Sequence, residues 1–216
     1  MTRGAWSKAA ALAALAVLLL VAVAALRPLV VGADGTAAPL LDDTEIGFVR
    51  DMVAHHNQAL LMVQRLDTGV DPAVRALAQQ IADSQRTEIG MMLGWLRMAR
   101  IAVTNPHPMA WMDTGTPGAH HGQDPAGADP TAHATMPGMA SQADLDALAA
   151  ARGDEAASRF LRLMQRHHYG GIQMAQAADR RLNGGVVEQT ARDMISTQGQ
   201  EVGVIGLLLV RGTALR

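Results

Sequence analysis

The chain has 216 residues, a formal net charge of −2, no cysteine, thirteen methionines, eight histidines and only six aromatic rings. That length suits one folded domain with a tail, and zero cysteine excludes disulfide frameworks, thiolate metal sites and iron–sulfur clusters. The near-neutral charge argues against a nucleic-acid binder with a basic face, and scarce aromatics without strand-like alternation argue against a β-sandwich.

Arg3 and Lys8 precede an apolar run over residues 9–26, the pattern of a secretory signal or a membrane anchor. The run is longer than the usual signal core of about 7–15 residues and approaches the roughly 20 that span a bilayer. Val31-Gly32-Ala33 offers a small-residue cleavage site. We assign residues 1–33 to this signal or anchor and residues 34–41 to a short tether. Either reading places the rest outside the cytoplasm, because the basic flank stays inside. Without Arg3, Lys8 and Arg27 the remainder carries 15 basic and 20 acidic residues.

Residues 42–216 contain an internal repeat. Phe48-Val49-Arg50-Asp51-Met52-Val53-Ala54-His55-His56 matches Phe160-Leu161-Arg162-Leu163-Met164-Gln165-Arg166-His167-His168, 112 positions later. The match continues through Ala59/Gly171 and Met62/Met174. A second pair, Ser84-Gln85-Arg86-Thr87-Glu88 and Thr197-Gln198-Gly199-Gln200-Glu201, is offset by 113. Such self-similarity is the signature of a duplicated unit.

Each repeat predicts a helical hairpin. Asp42-Asp43-Thr44-Glu45 starts the first helix, Gly69 ends it, and Asp71-Pro72 starts a second that runs to about Arg100. In the second repeat, Gly153-Asp154-Glu155 opens a helix that Asn183-Gly184-Gly185 closes, and a last helix covers about residues 186–210. Ser141-Gln142-Ala143-Asp144 predicts a capping box for a short lead-in helix. The expected fold is all-α: an up-down four-helix bundle of two hairpins, 42–101 and 141–210, joined by a crossover over 102–140. That crossover holds six of the nine prolines and also His107, Met109, Met112, His120, His121, His133, Met136 and Met139. A loop of this length is functional or disordered.

On a helical wheel, Met52, His55, His56, Ala59 and Met62 share the apolar face of the first helix, and Met164, His167, His168, Gly171 and Met174 repeat the arrangement. The second helices add Gln85 and Glu88 within a stripe of Val74, Leu77, Ala78, Ile81, Met92 and Trp95. They likewise add Gln198 and Glu201 beside Val187, Met194, Ile205 and Leu208. Buried polar groups need partners or a metal. One reading is a hydrogen-bonded polar layer. A second is a soft-metal site in which thioether and imidazole suit copper, with Gln85, Glu88, Gln198 and Glu201 orienting the rings from behind. A third, a carboxylate-bridged di-iron centre, needs Glu-x-x-His, which the chain lacks. The crossover residues, above all His133, Met136 and Met139, are solvated residues or a metal-capturing arm. Met91, Met92, Met98 and Met194 read as core filler.

These blocks, each followed by Gln-x-x-Glu, resemble the domain of unknown function family 305, and so does Met136-Pro137-Gly138-Met139 ahead of the second block. The resemblance covers about residues 42–209. Gln165, where the pattern is usually apolar, and Val63, in place of a usual Ala, depart from it. It implies an exported, ferritin-like four-helix bundle, with some members resembling periplasmic copper-binding proteins. Carried over by position, the ligands would be Met52, His55, His56, Met62, Met164, His167, His168 and Met174. The expected function is extracytoplasmic binding of copper or another transition metal, for storage, detoxification or delivery. The alternatives are a structural or interaction module with a buried His–Glu layer, and a ferritin-like di-metal oxidase. The expected partners are the metal ion and, if the N-terminal helix is uncleaved, the membrane. No nucleophile elbow, phosphate loop or His-Glu-x-x-His is present, which favours a binder over an enzyme.

Overall fold

A computed structural model of the chain describes residues 14–22, 39–112 and 136–214, which are helical with no strand among them. The chain divides into two compact units, Met1–Pro39 and Leu40–Arg216. In the first, residues 14–22 form helix α1, with Leu15, Leu18 and Leu20 exposed. No helix among the described residues is long and apolar enough to cross a membrane. The cleavage site at Val31-Gly32-Ala33, half of the apolar run and most of the tether lie outside the described residues.

The second unit contains α2 (Asp43–Arg65), α3 (Pro72–Met98), α4 (Gln142–Ala150), α5 (Gly153–Arg181) and α6 (Val186–Ala214). Local chemistry explains their starts. The Asp42 side chain accepts from Glu45 N and Glu45 accepts from Asp42 N, each at 2.8 Å, which closes a capping box. Asp71 caps α3 with Pro72 at its first turn. Ser141 and Asp144 form the reciprocal box of α4. α5 has no capping side chain of its own, and Asp67 reaches across from the α2–α3 loop to accept from Gly153 N at 2.9 Å. That role bears on where α2 ends: not at Gly69 but at Arg65, where Leu66 turns extended.

α2 packs on α3, α5 on α6, α2 on α5, and α4 lies on α2 and α5. The interior falls into two apolar clusters. One gathers Met62, Leu77, Ile81, Phe160, Met164 and Ile205; the other gathers Phe48, Met52, Met92, Leu96, Met174 and Met194. α2 and α6 run from the second cluster to the first, whereas α3 and α5 run from the first to the second. Each hairpin is thus antiparallel, and the crossover must travel the length of the helices, so that α3 and α5 share a direction. The fillers divide unevenly. Met92 and Met194 are fully buried, whereas Met91 and Met98 are exposed, and Leu96 rather than Trp95 completes the buried stripe of α3.

A buried carboxylate anchors the start of the crossover. Asp51, 1% exposed, accepts from Asn105 Nδ2 (2.7 Å), Met109 N (2.7 Å) and Trp111 Nε1 (2.8 Å). Trp111 lies edge-on to Phe48 with ring centroids 5.5 Å apart. Its indole also sits so close to Gly47 that a Cβ there would come within 2.7 Å. At the corresponding position of the repeat stands Leu163, which packs in the cluster with Met62 and Met164. Asp51→Ala strands three donors, so it should cost about 3 kcal/mol. Urea denaturation measures it, and a loss below about 1 kcal/mol would mean that the arm is held by other contacts.

Candidate metal centre

On all four long helices, the polar residues that the wheel turns inward sit between the segments given to the two apolar clusters. His55, His56, His167, His168, Gln85, Gln198 and Glu201 are each 2% exposed or less. Antiparallel pairing of α2 and α5 sets Met62 and Met164 on one side of this layer, and Met52 and Met174 on the other, all fully buried. The structure therefore brings together the eight candidate ligands in one interior. Among the described residues, however, no group of three or more His, Asp or Glu stands ready to hold a metal ion. Any ion here would need the thioethers as well.

The four imidazoles form a row. His55 and His167 stack with centroids 3.8 Å apart, and His56 and His168 lie outside them at 6.4 and 6.2 Å from their neighbours. Every Nε2 has an oxygen partner. His56 Nε2 donates to Glu88 Oε2 at 2.5 Å, and His168 Nε2 to Glu201 Oε2 at 2.7 Å. His55 Nε2 donates to Pro137 O and His167 Nε2 to the backbone carbonyl of His55, each at 3.1 Å. Ser84 Oγ, from α3, donates to Glu201 Oε1 at 3.2 Å and steadies the carboxylate.

Those partners decide the tautomer of the inner rings. A carbonyl oxygen cannot donate, so Nε2 of His55 and of His167 carries the hydrogen. Burial is the main force holding both rings neutral. It brings the His55 pKa down to about 3, helped by the neighbouring His56, and lowers that of His167 well below the usual imidazole value, helped by His55. Their Nδ1 atoms are therefore bare lone pairs. Nδ1 of all four histidines is buried without a hydrogen-bond partner, as are Oε1 of Gln85 and both amide atoms of Gln198. Unsatisfied buried polar atoms are rare in native folds and ask for an explanation. A soft cation fits this donor set: imidazole nitrogens whose second nitrogen is already oriented, between four thioether sulfurs.

The end of the crossover is part of the site in a way that residue types alone did not disclose. Its contribution is backbone. Pro137 O orients His55, and the segment seats directly on α5. Gly138 has φ +77°, and a Cβ there would lie 2.4 Å from Arg166 O; a Cβ on Gly170 would lie 2.0 Å from Pro137 O. Gln58 holds Ala140 on both sides, accepting from its N–H (2.6 Å) and donating to its carbonyl oxygen (2.9 Å). Met136 packs against the Met52–Met174 cluster and Met139 is half-buried. His107 is exposed, while His120, His121 and His133 lie outside the described residues. Gly171 is small for Gln198, whose Oε1 would be 2.4 Å from a Cβ at that position. Ser84, Gln58, Gly138 and Gly170 were missed. The Met-Pro-Gly-Met run, which contains Gly138, and the second repeat pair, which opens on Ser84, were the sequence signals near them.

A family profile described as a domain of unknown function, DUF305, matches residues 45–208. The chain belongs to the DUF305 family. Solved DUF305 structures resemble it. One from Streptomyces coelicolor is 33% identical, covers 79% of this chain and 94% of its own, and superposes with a TM-score of 0.65. A DUF305 fragment from Deinococcus radiodurans is 30% identical, covers 79% and 97%, and gives 0.61. CopM, solved in its Cu(II)-bound form, is 20% identical, covers 77% and 96%, and gives 0.52, a likeness of fold. No curated protein matches the chain. Within this DUF305 chain the repeat-related His-His pairs fall inside the matched span, as do their Glu partners.

Proposed function

We propose that this protein is an extracytoplasmic copper-binding protein for storage, detoxification or delivery, built as a ferritin-like four-helix bundle. The observation that carries the reading is the shared state of four buried histidines, each with Nε2 engaged by oxygen and Nδ1 unpartnered. His55, His56, His167 and His168 would bind copper through Nδ1, with sulfur from Met52, Met62, Met164 and Met174. Glu88, Glu201, Pro137 O and the His55 carbonyl would set ring orientation, and Gln85 and Gln198 line the same layer. The copper-bound state of CopM and its shared fold support this reading. Export is supported by the basic-then-apolar N-terminus of residues 1–33 and by the description of the Streptomyces coelicolor relative as a candidate secreted protein. We take residues 1–33 as signal or anchor, 34–41 as tether and 42–216 as the binding domain, its crossover 102–140 supplying further soft ligands at His133, Met136 and Met139.

Equilibrium dialysis with Cu(I) and Cu(II) tests the proposal. At least one ion per chain should bind at micromolar concentration or below, and the His→Gln variant at positions 55, 56, 167 and 168 should lose it. Saturation at about 100 times Kd should stabilise the fold by about 2.7 kcal/mol and raise the Tm. The structural-module reading has its own support in the absence of a preformed His/Asp/Glu group among the described residues. It predicts a Tm that copper leaves unchanged. A di-metal oxidase has least support, since Glu88 and Glu201 are each already bonded to a histidine.

A further inference from the structure

The two apolar clusters flanking the histidine layer differ in chemistry. At the end where the crossover begins, Met52, Met92, Met174 and Met194 come one from each long helix, and all four are fully buried. Met109 covers this cluster from the crossover at 8% exposure, and Met112 and Met136 pack on its edge. The opposite cluster holds Met62 and Met164 from the first helix of each hairpin, but Ile81 and Ile205 from the second.

The duplication makes these positions comparable. At the 113-residue offset of the second helices, Met92 corresponds to Ile205 and Ile81 to Met194. All four are fully buried. The repeat therefore fills its second-helix slots with isoleucine at one end and methionine at the other. Burying the unbranched thioether costs more side-chain entropy than burying isoleucine, and methionine specifies a core less well. Packing alone gives no reason to choose it on both helices at the same end.

We infer that Met52, Met92, Met174 and Met194 form a second, histidine-free site that binds a monovalent soft cation, Cu(I) or Ag(I), with Met112 and Met136 at its edge. Thioether sulfur is a neutral, soft donor that selects such ions. The cost of burying an ion rises steeply with its charge, and four neutral sulfurs supply no counter-charge, which disfavours a divalent ion. Asp51, the buried carboxylate that holds Met109 by its N–H at 2.7 Å, places one negative charge beside this end. Met52 and Met174 also serve the histidine site in the copper reading, so the inference rests on that reading for the shared sulfurs and on Met92 and Met194 for the second ion.

Ag(I), which is redox-inert, is the probe, and native mass spectrometry of the full chain counts the ions. Met92→Ile/Met194→Ile copies the opposite cluster, so it should keep the fold, checked by circular dichroism. We expect one fewer Ag(I) per chain in this variant and retention of that ion in the four-histidine variant. In unsubstituted protein, the Met92 and Met194 methyl resonances should shift on Ag(I) addition. Unchanged stoichiometry in the isoleucine variant, or shifts confined to Met62 and Met164, would overturn the thioether site. Loss of all Ag(I) in the histidine variant would overturn it while leaving the copper reading intact.

Discussion

Metal-free protein should lose stability steeply as the pH falls below about 6.5, the ordinary titration point of an imidazole in an unfolded chain. Burial, reinforced by neighbouring rings, holds His55 at about 3 and His167 well below its usual value. Between those limits the unfolded chain binds two protons that the native core refuses. Both contributions are therefore fully present above about 6.5 and are lost as the pH falls towards the native values. The slope is about 1.4 kcal/mol per pH unit for each ring, or about 2.7 for the pair. From pH 6.5 to 5 the loss is about 3 kcal/mol, a large share of the 5–15 kcal/mol typical of a domain. Urea midpoints at pH 7.5, 6 and 5 measure it. A His55→Gln/His167→Gln variant keeps a donor at each place without the titrating ring and should flatten the slope. Midpoints that stay level in the unsubstituted protein would show that the inner rings accept protons in the fold. Copper binding at these two Nδ1 atoms meets no proton over this range, so the affinity of the folded protein for it should fall only as the pH approaches the native values.

The second large effect concerns one missing methyl group. Gly170→Ala should destabilise the protein by about 3 kcal/mol and lower the Tm by roughly 10 °C. The new Cβ would stand 2.0 Å from Pro137 O and 2.8 Å from Gly138 N, and both are backbone atoms that cannot rotate away. The crossover end must lift from α5, which also breaks the bond from His55 Nε2 to Pro137 O. The loss should thus reach copper affinity as well as stability. Two neighbouring substitutions make the contrast. Gly171→Ala meets only the side chain of Gln198, at 2.4 Å, which can turn, so its cost should be smaller. Gly90→Ala has nothing within 4 Å and should stabilise α3 by about 0.5–1 kcal/mol. Thermal denaturation of the three variants gives the order. A Gly170→Ala protein with an unchanged Tm would mean that the crossover end is loosely seated.

Much of the site could be read along single helices. Periodicity turned His55, His56, His167 and His168 inward, and duplication showed that the pattern recurs, since a helix repeats its faces whatever surrounds it. The capping residues Asp42, Asp71 and Ser141 marked starts that the structure keeps, because a cap is satisfied within its own turn. The end of α2 was misplaced because Asp67, in the following loop, is engaged by the start of α5, far away in the chain. Met91 and Met98 read as core filler in the sequence yet are exposed, because composition says how apolar a residue is, not which side of a helix has a neighbour.

The amino-acid sequence by itself determined an all-helical chain, its duplication, the inward histidines and the acidic residues that accompany them. These follow from local spacing and from the need to bury one face of each helix. The tertiary structure alone decided which atoms meet. It set the inner rings of α2 and α5 in a stack, gave the outer rings to Glu88 and Glu201, and left each Nδ1 bare. It put a loop carbonyl behind His55, pinned the crossover with Asp51, and gathered four methionines from four helices at one end. No local rule encodes these contacts. They depend on helix direction and on the path of a long connection, which only the packed chain settles.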